Sequence, residues 1–402
     1  MIRKTGGNVP SWFTYGKLRA SVAEVGNGLQ PYQLYNTYSI GKDPNGNTNA
    51  STGSTYYNAD VRSELIKSTE IGTELKFLQN RIGLDISWYK TNATRQLLAI
   101  PQDALSGYSS KMINAGNIQN EGVEVVLNTS LLNKPGALNW DMTVNFSKNN
   151  NKIIALTDEN HTYGLGGYDD VSIVAETGRN YGEIYGTKFL RVDDPKSEDY
   201  GRLLLTSTGL PKGTSDKYDL GNQQADYLLG ITNHFSFKGF NLSFLLDGRF
   251  GGKIFSATYA AMEAAGTAGI TANRGKMVVN GVIEDGKGGY VENTTEVTTE
   301  EYWKAVQSSG NVGIVEANLY DATNIRLRNV QLSYNLPQKW LQKSPVQRAS
   351  LGFSCNNVWM ISSHLHGIDP ESVYATGTNA VGFENAAPPT TRSFMFNLSL
   401  SF

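Results

Sequence analysis

The chain has 402 residues, 39% of them hydrophobic and 18% charged, with a formal net charge of −2. That length supports a large core, and the near-neutral balance, with no basic stripe interleaved with aromatics, excludes nucleic acid as the natural partner. No uninterrupted apolar run is long enough for a transmembrane helix, but a barrel strand needs only about ten residues of alternating character, so the membrane stays open.

The N-terminal stretch MIRKTGGNVPSWF carries two basic residues with no apolar run behind them, so no signal peptide is expected there. A strand is predicted at about 11 to 23, followed by a long connection from 24 to 66 with a lesser β-like piece near Tyr32 to Ile40. Strands at about 67 to 78 and 80 to 92 follow. Ile82, Leu84, Ile86 and Trp88 share one face of the second, and Leu78-Gln79-Asn80 makes a tight link. A connection over 93 to 113 leads to strands at about 114 to 130 and 137 to 148, joined through Lys134-Pro135-Gly136. In the latter, Leu138, Trp140, Met142, Val144 and Phe146 oppose polar neighbours.

A connection over 149 to 224, with a β-like piece at Gly182 to Val192, precedes strands at about 225 to 238 and 240 to 250, which meet at a Lys238-Gly239 hairpin turn. Residues 251 to 320 form another long connection. In the strand at about 322 to 336 the apolar set moves from Ile325 and Leu327 to Val330, Leu332, Tyr334 and Leu336, which requires a β-bulge near Arg328-Asn329. A strand at about 347 to 360, a connection over 361 to 389 and a last strand at 390 to 402 complete the chain. Phe394, Phe396, Leu398, Leu400 and Phe402 line one face of that last strand and it ends on an aromatic.

About ten strands therefore alternate short turns with long loops. That asymmetry characterises outer-membrane barrels, since structureless loops beyond about 15 residues are uncommon in compact soluble domains. Trp12, Trp88, Trp140, Trp340 and Trp359 fall near predicted strand ends, where interfacial girdles lie. The parity of the strands puts the C-terminus on the short-turn side, which is periplasmic in such barrels. The fold class expected is all-β, an antiparallel transmembrane β-barrel. Cys355, the single cysteine, makes an intramolecular disulfide impossible and reads as a small apolar filler.

Several runs resemble the SusC/RagA family of TonB-dependent outer-membrane transporters. They are YGKLRASVAEVGNG from Tyr15, RIGLDISWYKT from Arg81, GNIQNEGVEVVL from Gly116, the segment Tyr227 to Phe255, DATNIRLRNVQLSYNLP from Asp321, HGIDPES from His366 and APPTTRSF from Ala387, all in the family's order. The resemblance implies a larger plugged barrel of about 22 strands, of which this chain supplies the C-terminal part. On that resemblance, the family's signal peptide, TonB box and plug domain are not expected within these 402 residues. It also implies import of oligosaccharides or peptides, with a SusD-like lipoprotein as lid, TonB as energy source and outer-membrane lipid as surroundings. A siderophore or cobalamin receptor of the wider TonB-dependent group is the nearest alternative, and a secreted glycan-binding or glycoside-cleaving β protein a more distant one. Ten strands lifted from such a barrel are expected to form an open curved sheet with two unpaired edges.

Import needs no covalent chemistry, so no catalytic residue, cofactor or metal is assigned. Glycan contacts require aromatic faces with amide and carboxylate groups, and peptide contacts more backbone-like hydrogen bonding. Tyr163, Tyr168, Asp169 and Asp170 in one loop, and Tyr302 and Trp303 in another, are the candidates, against the plainer reading that they pack loops or touch a partner. His364 and His366 with Asp369 and Glu371 have the composition of a metal cluster, but Asp369-Pro370-Glu371 reads better as a structural turn. The carboxylates of Asp193-Asp194 point apart in extended chain, against a general acid/base pair, and Gly164 to Gly167 lack the strand-to-helix context of a phosphate cradle.

Overall fold

Alternating apolar and polar residues become long antiparallel strands in the computed structural model, which describes residues 10–157, 161–307, 313–374 and 377–402. Among the described residues there are ten such strands: β1 (Phe13–Asn27), β2 (Glu64–Phe77), β3 (Ile82–Pro101), β4 (Ser110–Leu132), β5 (Asn139–Ala155), β6 (Tyr227–Phe237), β7 (Phe240–Phe250), β8 (Asn324–Asn335), β9 (Arg348–Ser363) and β10 (Ser393–Ser401). All ten predicted strands are present, and the all-β antiparallel expectation holds. The basic N-terminal stretch lies outside the described residues as far as residue 9.

The chain divides into two compact units, one drawn from Met1–Leu131, Asp141–Tyr163 and Ala175–Tyr181, the other from Leu132–Trp140, Gly164–Val174 and Gly182–Phe402. In the first, the strand order is β1-β2-β3-β4-β5. The β2–β3 link runs through Leu78, Gln79 and Asn80, all at positive φ (52°, 58° and 67°), and returns the chain so that Phe77 pairs with Ile82. Ile71, Trp88 and Val123 lie side by side on one face, as do Leu75, Leu84 and Leu127. The opposite face is polar: Arg19 of β1 reaches across to pair with Asp85 of β3 and donates to Ser87 at 2.5 Å.

The apolar face ends in a charged row. Glu24 pairs with Lys67 at 3.2 Å and Lys90 with Glu121 at 4.0 Å, each across the ladder. Beyond this row the strands continue with polar residues. The connection expected over 93 to 113 is therefore much shorter, residues 102 to 109, because β3 and β4 stay paired as far as Pro101 and Ser110. Backbone hydrogen bonds sustain a ladder whether or not its faces are apolar, so the sequence alternation marks the apolar band and not the strand end. The same reason corrects the position of Trp88, which lies well inside β3, at the top of the apolar face. Trp12 does sit at a strand end, stacked on Phe77 at 5.8 Å.

In the second unit the order is β6-β7-β8-β9-β10. Lys238 (φ 46°) and Gly239 (φ 90°) form the two-residue turn between β6 and β7, the left-handed pair that matches strand twist. The expected bulge is present at the expected place. Leu245 faces Asn329 and Leu246 faces Leu327, so Arg328 is the extra residue, and on the other side Leu327 faces Trp359 while Asn329 faces Asn356. A short helix, Gln338–Leu341, carries exposed Trp340 in the β8–β9 turn. Trp140, at the start of β5, stacks on Phe235 at 5.3 Å. β10 runs back to the short-turn end, as its parity requires.

The long connections are built structures. The β-like piece near Tyr38 becomes a hairpin, Tyr38–Lys42 with Thr48–Thr52, and that near Gly182 becomes the strand Glu183–Gly186, both within connections as expected. In the second unit the connections carry helix α1 (Ala257–Ala264), capped by the Ser256 hydroxyl accepting from Tyr259 N–H. They also carry helix α2 (Thr299–Gln307), where Thr298 and Glu301 exchange hydrogen bonds in a capping box.

Burial is inverted relative to a soluble sandwich. The buried apolar residues of the second unit cluster in the connections, around Val171, Ile173, Ile184, Phe255, Val315 and Phe383. The bulky residues of β10 are exposed, Phe396 at 81% and Leu398 at 64%. A continuous face of that kind needs an apolar solvent, and lipid supplies it.

Candidate functional site

The most highly organised polar group lies on the face of β7 and β8 opposite the apolar one. Arg326 is buried and pairs with Asp369, which reaches in from the connection between β9 and β10. Arg326 also donates to Thr390 Oγ1 at 3.3 Å and to Asn324 Oδ1 at 3.3 Å. Two residues on, Arg328, the extra residue of the bulge, reaches the same side. There it contacts Asp247 of β7 and Glu371 at 2.5 Å each, in fork-shaped charge-assisted pairs. The Asp369-Pro370-Glu371 turn is thus a double clamp holding the β9–β10 connection to the strands, which gives the structural reading of that turn its physical content.

Burial alone would raise the Asp369 carboxyl. Hydrogen bonds from Arg326 and the Thr390 hydroxyl, with the Glu371 and Thr390 backbone N–H groups, outweigh it and hold the group well below the usual carboxylate range. Beside the clamp, a cavity of about 420 Å³ is lined by Asp247, Arg249, Lys253, Glu371 and Val381 among others. Arg249 donates to Gln223 O at 2.6 Å, while its Nε–H is buried without a partner. This wall offers donors and acceptors without a nucleophile and base in reach of each other, so it suits holding a polar ligand better than reacting with one.

The residues proposed from sequence fall in three places. Tyr163 lies in the strand Thr162–Tyr168 within the first unit. Tyr168 belongs to the second unit, packed at 5.7 Å from Tyr374 and 6.3 Å from Phe383; Asp169 turns the chain at φ 51°, and Asp170 pairs with Lys217 at 3.8 Å. Tyr302 and Trp303 stand edge to face at 5.0 Å on α2. Tyr302 packs against the cluster of Leu205, Val279 and Val297, and Trp303 faces a cavity of about 330 Å³ shared with Glu263, Thr271, Arg274 and Glu300. Glu263 is buried and its carboxyl is pushed up by burial, against hydrogen bonds from Asn318 and Gln307. His366 lies 6.2 Å from the Tyr259 ring, and Leu365 before it is buried with Ile254 and Ala322.

Sequence reasoning missed Arg326, Arg328, Asp247 and Arg249. Their only local signal is charge on the polar side of otherwise apolar strands.

Comparison with known proteins fits this architecture. No family model matches the chain. A TonB-dependent receptor of Formosa agariphila is 25% identical over 427 aligned residues, covering 99% of this chain, and the SusC receptor of Bacteroides thetaiotaomicron is 23% identical, covering 87%. The chain spans about 40% of the length of the first of these curated relatives and 34% of the second. Among solved structures, the RagAB peptide transporter superposes with a TM-score of 0.71 at 18% identity, over 98% of this chain and 42% of that one; its closed-closed state gives 0.72. The resemblance to SusC-like TonB-dependent receptors therefore holds across nearly the whole chain. The fold is that of the barrel of those receptors, which are outer-membrane proteins, and it favours the membrane over the reading as a secreted β protein.

Proposed function

We propose that this chain is the C-terminal barrel portion of an outer-membrane importer that takes up oligosaccharides or peptides with a SusD-like surface lipoprotein, powered through TonB. The observation that carries the reading is similarity to TonB-dependent receptors over 99% of the chain, in a fold with one lipid-facing and one polar face. The polar face and the folded connections supply the ligand-contacting wall. Tyr302 and Trp303 on α2, Tyr168, Asp169 and Asp170 in another connection of the second unit, and Tyr163 in the first unit are separate candidate contacts for it.

The test is affinity purification of the complete receptor carrying this chain from its native membrane, followed by binding of an oligosaccharide panel, a mixed peptide pool and a ferric siderophore. Co-purification of a surface lipoprotein with retention of sugars or peptides supports the reading. Retention of the siderophore alone, without a lipoprotein, overturns it.

A further inference from the structure

The geometry points to a binding site for a membrane lipid with a phosphomonoester headgroup at the long-loop end of the β9–β10 hairpin, centred on Arg392. The β9–β10 ladder stops at Asn356 and Ser393, yet β9 continues to Ser363, leaving a gap where β10 would have paired. A cavity of about 410 Å³ opens there, lined on one side by Arg392, Trp359, Leu327 and Ile368 and on the other by the clamp residues Arg326, Asp369 and Thr390, whose charges are already paired with each other.

Arg392 continues the parity of Phe394, Phe396 and Leu398, the residues of the apolar face, and is the first charge beyond that face on this strand. Its stem is fixed: Nε donates to Asn357 O at 3.1 Å, Asn357 holds a left-handed φ of 50°, and its amide donates back to Thr391 O at 2.7 Å. Both terminal guanidinium nitrogens are left without an ion-pair or hydrogen-bond partner among the described residues.

In the first unit, the cations that end the apolar face, Lys67 and Lys90, are each matched by a carboxylate across the ladder. Arg392 instead shares its cavity with Trp359, which is 60% exposed, and exposed tryptophans flanking an apolar band favour the level where headgroups meet acyl chains. An arginine fork free at two nitrogens matches a phosphate oxygen pair, and the apolar wall of Trp359, Leu327 and Ile368 matches the first part of an acyl chain. Charge complementarity and continuity with the lipid-facing strands both select a lipid as the occupant.

The test titrates the complete receptor carrying this chain in neutral detergent with dioleoyl phosphatidic acid or dioleoyl phosphatidylcholine, and counts by native mass spectrometry the bound lipid that Arg392→Gln removes. One phosphatidic acid per chain is expected, held at least about fivefold more tightly than phosphatidylcholine, the range of one charge-assisted contact. Arg392→Gln should lose that preference, Arg392→Lys should keep most of it, and Arg348→Gln, at the opposite end of β9, should leave it unchanged. Trp359→Ala should weaken the dioleoyl lipid but not its dihexanoyl analogue. Equal binding of the two lipids, or wild-type binding by Arg392→Gln with strand circular dichroism intact, overturns the proposal. Displacement of the lipid by millimolar inorganic phosphate overturns the lipid assignment in favour of a free-phosphate site. If Arg392→Gln does not fold, the decision passes to Arg392→Lys and Trp359→Ala, whose wild-type behaviour with both dioleoyl lipids alike would equally overturn it.

Discussion

Replacing Asp369 by asparagine tests the double clamp most severely. The side chains of Arg326 and Asp369 are only 6% and 8% exposed, so removing one charge leaves the other buried. Losing one partner of a buried pair costs about 3 to 5 kcal/mol. Here Glu371 approaches Arg326 Nε at 3.7 Å and compensates in part, and asparagine still accepts from Thr390, so the lower end, about 3 kcal/mol, applies. That is on the order of a hundredfold in the equilibrium for releasing the β9–β10 connection. Limited proteolysis of residues 364 to 392 in intact membranes reads that equilibrium when reclosing outpaces cleavage. Asp369→Asn should be cut on the order of a hundredfold faster, and Glu371→Gln, whose partner Arg328 keeps Asp247 at 2.5 Å, only a few-fold faster, about 1 kcal/mol. Because the folded Asp369 carboxyl titrates below its usual value, its stabilisation is present above the unfolded value of about 3.9 and disappears as pH falls through the folded one. Wild-type cleavage by Asp369→Asn would refute the clamp.

The remaining predictions concern the folded connections. Gly182→Ala places a Cβ 2.3 Å from the Gln223 amide nitrogen at φ 84°, and Gln223 bridges Asn379 O and Val381 N–H, so a loss of about 2 to 3 kcal/mol is expected in denaturant unfolding. Phe255→Ala, in the cluster with Ile184 and Phe383, should cost about 3 to 5 kcal/mol by the same measurement. Glu263 titrates above its usual value when folded, so its charged form opposes folding, and that penalty is absent below the unfolded pKa and complete above the folded one. Glu263→Gln should therefore match wild type at pH 4 and be more stable at pH 8, the more so because its amide can satisfy the unpartnered Gln307 Oε1; equal or lower stability at pH 8 refutes this.

What was legible in the sequence is what repeats locally. Phe394 to Phe402 alternate without interruption, and the phase change between Leu327 and Val330 admits only one extra residue, so β10 and the Arg328 bulge could be read directly. The ends of β3 and β4 could not, because the ladder outlives the apolar pattern once it leaves lipid. The clamp was hidden because Arg326 and Asp369 are 43 residues apart and meet only when a long connection folds back. The folded connections resisted for a related reason. Their core is assembled from short pieces such as Val171, Phe255 and Phe383, none of which shows a period by itself.

The central claim is that the even-numbered residues of β10 face lipid and the odd-numbered ones face water. In a Cys355→Ala background of the complete receptor, single cysteines placed in turn from Phe394 to Ser401 can be spin-labelled and their relaxation by oxygen and by a water-soluble nickel chelate compared in native-lipid vesicles. The account predicts a period of two, with oxygen dominant at Phe394, Phe396, Leu398 and Leu400 and the chelate dominant at Met395, Asn397, Ser399 and Ser401. Chelate access at every position, or shielding of the even positions from both reagents, would contradict it.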